Sequence, residues 1–132
     1  MKIAVVSEDE ITVSQHFGIA PLYVVVTVED GEVVGKETRP KAGHHVFTAM
    51  DRHEVAPGQP HGYDSGAHAR HTSMAETIGD CQVLIAGGMG WGAYESLRSR
   101  NIETVVTDVQ SIDQAVTLYL EGRLVNLMDR LH

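Results

Sequence analysis

The chain of 132 residues has little cysteine, few aromatic residues and no long apolar run. Its single cysteine, Cys81, excludes a disulfide within one chain and a zinc or iron-sulfur site made only of cysteines. No run approaches the roughly 18 apolar residues that a membrane helix needs, and Glu8 and Asp9 interrupt the apolar start. We therefore expect a cytoplasmic protein without a membrane partner.

Basic residues are also scarce. The chain has 10 Lys and Arg against 18 Asp and Glu, a formal net charge of -8. Affinity for nucleic acid comes mainly from Lys and Arg that neutralise phosphates, so we expect no nucleic-acid partner. The length suits one domain that spans residues 1–132.

Histidine, in contrast, is concentrated in one segment. Six of the eight histidines and three of the four prolines lie in residues 40–71, where hydrophobic periodicity is missing. This pattern predicts a His-rich loop, and imidazole is a common ligand of transition metals. A set of solvated loop histidines is the alternative, although six in one loop is unusual. The predicted ligands are His44, His45, His61, His68 and His71, and the sixth histidine is His53.

The rest of the chain predicts an α/β fold. Valine- and isoleucine-rich runs predict strands at residues 2–7, 22–28, 32–38, 82–86 and 102–107. Asp30-Gly31 between the second and third runs predicts an antiparallel hairpin. The last two strands alternate with helices over residues 93–100 and 111–122, which predicts parallel βαβ pairing. We expect a mixed sheet of about five strands, the first three antiparallel, with about three helices over it.

The tail after Leu124 has apolar residues at helical spacing, namely Leu124, Leu127, Met128 and Leu131. It can pack on the sheet of its own chain or on a second subunit. The sequence leaves both open, and we expect a monomer or a weak homodimer.

A glycine-rich turn follows the fourth predicted strand and precedes a helix, where backbone N–H groups and the helix dipole favour an anion. It matches neither the P-loop nor a dinucleotide fingerprint, and a tight turn without a ligand is the alternative. Its residues are Gly87, Gly88, Met89, Gly90, Trp91 and Gly92. Trp91 is expected to be partly exposed there and to border a pocket or an interface.

His16 lies in the loop after the first strand, within Ser14-Gln15-His16-Phe17-Gly18. Loops at the carboxyl ends of parallel strands meet at one rim, so we expect His16 to face the glycine-rich turn unless it is a plain surface histidine. The sequence contains no recognisable catalytic group, because neither Ser7 nor Ser14 has an orienting carboxylate at a definable place. We expect a binding protein and not an enzyme.

Two strings carry a family resemblance: Ser14-Gln15-His16-Phe17-Gly18, and the downstream string from Ala86 to Glu95 with its Gly-Gly-Met-Gly-Trp-Gly-Ala-Tyr core. They resemble the dinitrogenase iron-molybdenum cofactor biosynthesis family, over nearly the whole chain. The resemblance implies a ribonuclease-H-like topology and a non-catalytic protein that binds or carries an iron-, molybdenum- or copper-containing metal-sulfur cluster. A cluster-assembly or acceptor protein is the implied partner.

The resemblance also assigns the site residues. It transfers His16, Cys81 and the turn Gly87–Gly92 to a cluster site, although a lone cysteine beside an apolar run is more often a small buried hydrophobe. The long His-rich loop departs from the family pattern. It leaves open a simple metal-ion protein or metallochaperone for zinc, copper, nickel or iron, and the exposed Trp91 with the tail leaves open a protein-interaction module.

Overall fold

One mixed five-stranded sheet forms the centre of the computed structural model, which describes residues 1–41 and 75–131. The strands are β1 (Lys2–Ser7), β2 (Leu22–Glu29), β3 (Glu32–Pro40), β4 (Val83–Ala86) and β5 (Glu103–Val106). They lie in the order β3-β2-β1-β4-β5. The predicted mixed sheet is therefore confirmed.

The pairing directions are those predicted within each half of the chain. β2 is antiparallel to β1 and to β3, and β4 is parallel to β5. The place where the two halves join was not predicted. β4 pairs in parallel with β1, so β4 and β5 lie on the opposite side of β1 from the β2–β3 hairpin.

The β2–β3 hairpin turns at Asp30 and Gly31, as predicted. Both residues have positive φ angles, 53° and 77°, which a tight two-residue turn between twisted strands requires. A register shift at Thr27/Val28 marks a bulge in this pair.

Helices cover the sheet on both faces. They are α1 (Trp91–Ser99), α2 (Ile112–Leu120) and a short helical stretch at residues 75–77. α1 starts two residues earlier than predicted, so Trp91 and Gly92 belong to the helix and not to the turn. Ser111 caps α2, because its hydroxyl accepts a hydrogen bond from the backbone N–H of Gln114 at 3.2 Å. Among the described residues, no helix has the length and apolarity that a membrane span needs.

β1 contributes to two apolar cores through alternate side chains. Ala4 and Val6 face one core, which includes Leu97 of α1, whereas Ile3 and Val5 face the other, which includes Val116 of α2. Because β1 is buried on both faces, its sequence is an unbroken apolar run and not an alternating one.

The helical spacing of the tail does not give an α-helix. Backbone and side-chain groups of the tail bond to β5 instead: Leu127 N–H donates to Val106 O at 2.7 Å, and the Asn126 side chain bonds Val106 N–H and Thr104 O. A single 3-10 turn, Met128–Arg130, follows. The tail therefore packs on its own sheet, and Leu131 is buried there.

Candidate functional site

The loop after β1 is folded back by Asp9. Its carboxylate accepts hydrogen bonds from the backbone N–H groups of Thr12, at 2.7 Å, and of Ile11, at 2.9 Å. These bonds lower the pKa of Asp9 to about 2. Ser14 N–H then bonds to Val6 O at 2.8 Å, which returns the chain to the end of β1. The following residues are thereby placed along the carboxyl-end rim, the edge of the sheet where β1, β4 and β5 end.

Residues 14–17 lie directly against the glycine-rich turn. Gly87 N–H donates to Ser14 O at 2.8 Å, and Phe17 N–H donates to Gly88 O at 3.0 Å. Phe17 is buried as an anchor, whereas His16 beside it is exposed. The predicted meeting of this loop and the glycine-rich turn at one rim is confirmed.

Two glycines make this contact possible. A Cβ atom on Gly88 would lie 2.6 Å from the carbonyl oxygen of Gln15, and one on Gly87 would lie 2.8 Å from that of Ser14. Real Cβ atoms essentially never approach backbone that closely. Both residues are therefore needed as glycine for the close approach of two backbones and not for an unusual turn.

The expectation that the whole turn presents its N–H groups to an anion is wrong for Gly87, because Ser14 occupies that N–H. Gly87, Gly88 and Met89 are buried. Gly90 is half-buried, and Trp91 and Gly92 are exposed at the start of α1. The accessible part of the predicted set is thus Gly90–Gly92.

The start of α1 has no side-chain cap, since the capping residue is Gly90, and no acidic residue lies in its first turn. Such a helix end has N–H groups and a dipole that favour negative charge. Trp91 is 52% exposed there and meets Tyr94 edge-on, with 5.8 Å between the ring centroids. Its predicted partial exposure is confirmed.

The tail brings a residue to the rim that sequence analysis missed. Arg130 donates from Nη1 to Gln15 Oε1 at 3.1 Å and to Gly87 O at 3.3 Å. Leu131, the next residue, forms an isolated β-bridge with Met89, and its side chain is buried. The sequence pattern gave Gln15 no role of its own. A tail predicted to be helical gave no reason to expect Arg130 at the rim.

The loop after β1, Asp108 and Gln110 after β5, and Arg130 of the tail border an open cavity of ≈ 450 Å³, the rim cavity, and none of Gly87–Gly92 is part of its lining. Its charged lining side chains are three carboxylates and one guanidinium, with His16 beside them. The described residues that line it are Glu8, Asp9, Thr12, Val13, Ser14, Gln15, His16, Asp108, Gln110 and Arg130. The volume falls in the range of small-ligand sites.

Cys81 lies away from this site. It precedes β4, whereas the glycine-rich turn follows β4, so roughly 20 Å of extended chain separates the two. The thiol is buried. Its pKa is raised to about 11, mainly by burial and to a smaller extent by the nearby Asp80 carboxylate. The structure does not bring Cys81 together with His16, and this environment disfavours it as a ligand.

The other predicted ligands, His44, His45, His61, His68 and His71, lie outside the described residues, as does His53. Within residues 1–41 and 75–131, no group of three His, Cys, Asp or Glu side chains is arranged to hold a metal ion. Among the described residues of the rim, His16 is therefore the candidate for a direct bond to a metal.

Lys41 is a second residue that sequence analysis missed. It is fully buried at the end of β3, donates to Phe17 O and lies over the Phe17 ring, 4.4 Å from its centroid. Burial lowers the pKa of Lys41 to about 8. The amine links the end of the hairpin to the loop that holds His16.

The α/β/α layers define a small single-sheet α/β protein with its candidate site at the ends of its parallel strands. The chain belongs to the family described as dinitrogenase iron-molybdenum cofactor, whose profile matches residues 1–122. A protein of Methanocaldococcus jannaschii, named uncharacterized protein MJ0580, is 26% identical over 126 residues, which are 94% of this chain and 89% of that protein.

Solved structures show the same fold. The crystal structure of PH0822 superposes with a TM-score of 0.67 at 22% identity, covering 98% of each chain. The apo form of the orange protein from Desulfovibrio gigas gives a TM-score of 0.65 at 19% identity, covering 96% of this chain and 92% of that one.

Proposed function

We propose that this chain is a non-catalytic carrier for an anionic metal-sulfur cluster, of the iron/molybdenum or molybdenum/copper type, held as cargo at the rim cavity. Membership of the iron-molybdenum cofactor family supports the class of cargo. The observation that carries the site is the bonding of residues 14–17 to Gly87 and Gly88, which holds His16 exposed on the cavity wall.

The chemistry of the rim suits a cluster better than a bare ion. His16 supplies one imidazole for a direct bond to a metal. The uncapped start of α1 at Gly90–Gly92 supplies N–H groups and a favourable dipole for negative sulfur atoms. A bare ion needs several ligands converging on one point, whereas a cluster extends over several ångströms and can meet these groups separately.

The proposal also includes the topology, the cellular location, the oligomeric state and the partner of the chain. The strand order is of the ribonuclease-H-like kind, and the chain acts in the cytoplasm as a monomer or weak homodimer. A cluster-assembly or acceptor protein is its partner, and the exposed Trp91 at the edge of the site is the surface that such a partner would contact.

Anaerobic purification followed by elemental analysis for Fe, Mo, Cu and acid-labile sulfide tests the proposal. The purified chain is then incubated with tetrathiomolybdate, with and without copper, and its visible spectrum is recorded. We expect bound molybdenum, sulfide and a charge-transfer band, all strongly reduced in His16→Ala. Arg98→Ala is the control, because Arg98 is an exposed residue near the end of α1 that does not line the rim cavity, and it should load normally. A wild-type chain that retains neither sulfide nor molybdenum contradicts the proposal.

The histidine count supports a second candidate, a metal-ion protein or metallochaperone that binds zinc, copper, nickel or iron through residues 40–71. The double substitution His68→Ala/His71→Ala separates the two functions. Loss of Zn²⁺ or Ni²⁺ binding with normal tetrathiomolybdate loading would assign the loop to ions and the rim to clusters. Full retention of ion affinity would contradict the second candidate.

A further inference from the structure

The charges of the rim cavity conflict with an anionic cargo. Glu8, Asp9 and Asp108 line it, and all three side chains are carboxylates. The low pKa of Asp9, set by its bonds to Thr12 and Ile11, keeps that carboxylate ionised well into acid. The carboxylates would repel an anionic cargo in the same cavity. A cation in the cavity would offset this repulsion.

Arg130 contributes a guanidinium, the cationic group of arginine, to the lining of the cavity. Its guanidinium is oriented by Gln15 Oε1 and Gly87 O, on the two segments that form the candidate site. Gln15 is the immediate neighbour of His16, so the guanidinium and the exposed imidazole belong to the same stretch of cavity wall. A fixed guanidinium donates several charge-assisted hydrogen bonds in a planar array.

Arg130 belongs to the tail. The family profile matches residues 1–122, and Arg130 lies after this range in the 3-10 turn Met128–Arg130. The turn is held on both sides, because Leu127 bonds to β5 and Leu131 bridges Met89. The backbone therefore fixes the position of Arg130 before any cargo arrives.

We propose that Arg130 is the specificity-determining residue of the rim cavity: its guanidinium contacts the cargo and makes an otherwise acidic cavity accept an anionic thiometallate. This inference rests on the proposed function and adds to it the residue that selects the charge of the cargo. A contact with the cargo requires that affinity follows the charge of this side chain and not only the presence of a folded tail.

Tetrathiomolybdate binding by four proteins tests the inference: wild type, Arg130→Gln, Arg130→Lys and Arg123→Gln. The last is the control, because Arg123 lies just before the tail, its side chain is 71% exposed and pairs with Glu121, and it does not line the cavity. We expect about a tenfold or greater loss of affinity in Arg130→Gln, partial recovery in Arg130→Lys, and wild-type affinity in Arg123→Gln.

Two further readouts separate cargo contact from a purely structural role. The affinity of the wild type should fall as salt is raised, and that dependence should be weaker in Arg130→Gln. The urea midpoint of each variant reports the stability of the fold. Wild-type affinity in Arg130→Gln overturns this inference alone. So does equal weakness of the Lys and Gln variants with lowered urea midpoints, which would assign Arg130 to tail docking. A wild-type chain that binds no tetrathiomolybdate overturns the proposed function and this inference with it.

Discussion

Cys81 is a predicted site residue that the structure places apart from His16. The family resemblance transferred it to the cluster site, and its position before β4 puts it at the far end of the sheet from His16. Its neighbours are apolar core residues, and its thiol lies 3.7 Å from the Asp80 carboxylate. A buried thiol with a raised pKa is a poor metal ligand and a poor nucleophile.

Cys81→Ala should therefore leave tetrathiomolybdate binding unchanged. It should lower the free energy of unfolding by about 1 kcal/mol, because a buried sulfur atom is removed from a packed core. Urea denaturation and a binding titration on the same sample measure both effects. Loss of cargo binding with a retained fold would show that Cys81 is a ligand after all.

Lys41 gives a prediction about pH. Its pKa is about 8 in the fold against 10.5 for an ordinary lysine, because burial penalises the ammonium form. Between these values the unfolded chain holds a proton that the folded chain has lost, so this residue makes the fold more stable as pH rises. The whole gain is up to about 3 kcal/mol.

The test compares the wild type with Lys41→Met, which removes the titrating group and keeps a long side chain. The difference in free energy of unfolding between the two should shift in favour of the wild type from pH 7 to pH 10. Comparing differences cancels the titration of the other groups. A difference that stays constant with pH would show that the buried amine is not desolvated as the structure indicates.

At the scale of elements, the joint between residues 14–17 and the glycine-rich turn is the most sensitive part of the site. Gly88→Ala should destabilise the protein by about 1–3 kcal/mol and weaken cargo binding, since the new Cβ meets the backbone carbonyl of Gln15 and displaces the loop that holds His16. Gly18→Ala is the matched control, because nothing lies within 4 Å of its Cβ position. Urea denaturation and binding titrations of both variants give the answer. Equal behaviour of the two would contradict the close backbone approach.

The tail is the second element with a measurable role. Asn126 accepts from Val106 N–H at 2.9 Å and donates to Thr104 O at 3.3 Å, so it takes the place of a neighbouring strand at the edge of β5. Asn126→Ala leaves the N–H of the buried Val106 without this acceptor and should cost about 1–3 kcal/mol. Val125→Ala, in an exposed neighbour, should cost little. Hydrogen exchange at Val106 should accelerate only in the Asn126 variant.

The elements also show what the sequence could predict. Strands, helices and the Asp30-Gly31 hairpin follow from local periodicity and turn chemistry, and they lie where expected. The helical spacing of the tail did not predict its structure. An apolar 3.6-residue spacing carries no information about the hydrogen bonds to β5 that compete with a helix. The predicted start of α1 was two residues too late, because Gly92 in its first turn is a poor helix former and argued against a helix there.

At the scale of the whole molecule, the parallel pairing of β1 with β4 is the decisive long-range feature. It brings the loop after β1 and the turn after β4 to one rim, although some 70 residues separate them in sequence. The meeting of those two loops was predictable from the strand pattern. The roles of Gln15 and Arg130 were not, because they depend on a tail contact that no local pattern encodes.

The same arrangement would allow an acidic chain to bind the proposed anionic cargo. The formal net charge of -8 describes the whole surface, whereas the rim combines carboxylates with Arg130, His16 and the uncapped start of α1. Local charge and helix orientation, and not net charge, decide what binds at a site.

The position of bound cargo tests the central claim most directly. Backbone amide shifts of the ¹⁵N-labelled protein are recorded during an anaerobic titration with tetrathiomolybdate. The proposed site predicts the largest changes at residues 14–17, at Gly90–Gly92 and at Arg130, with little change at residues 80–82 around Cys81. Changes centred on residues 80–82, or binding that leaves the amides of the rim unmoved, would contradict it.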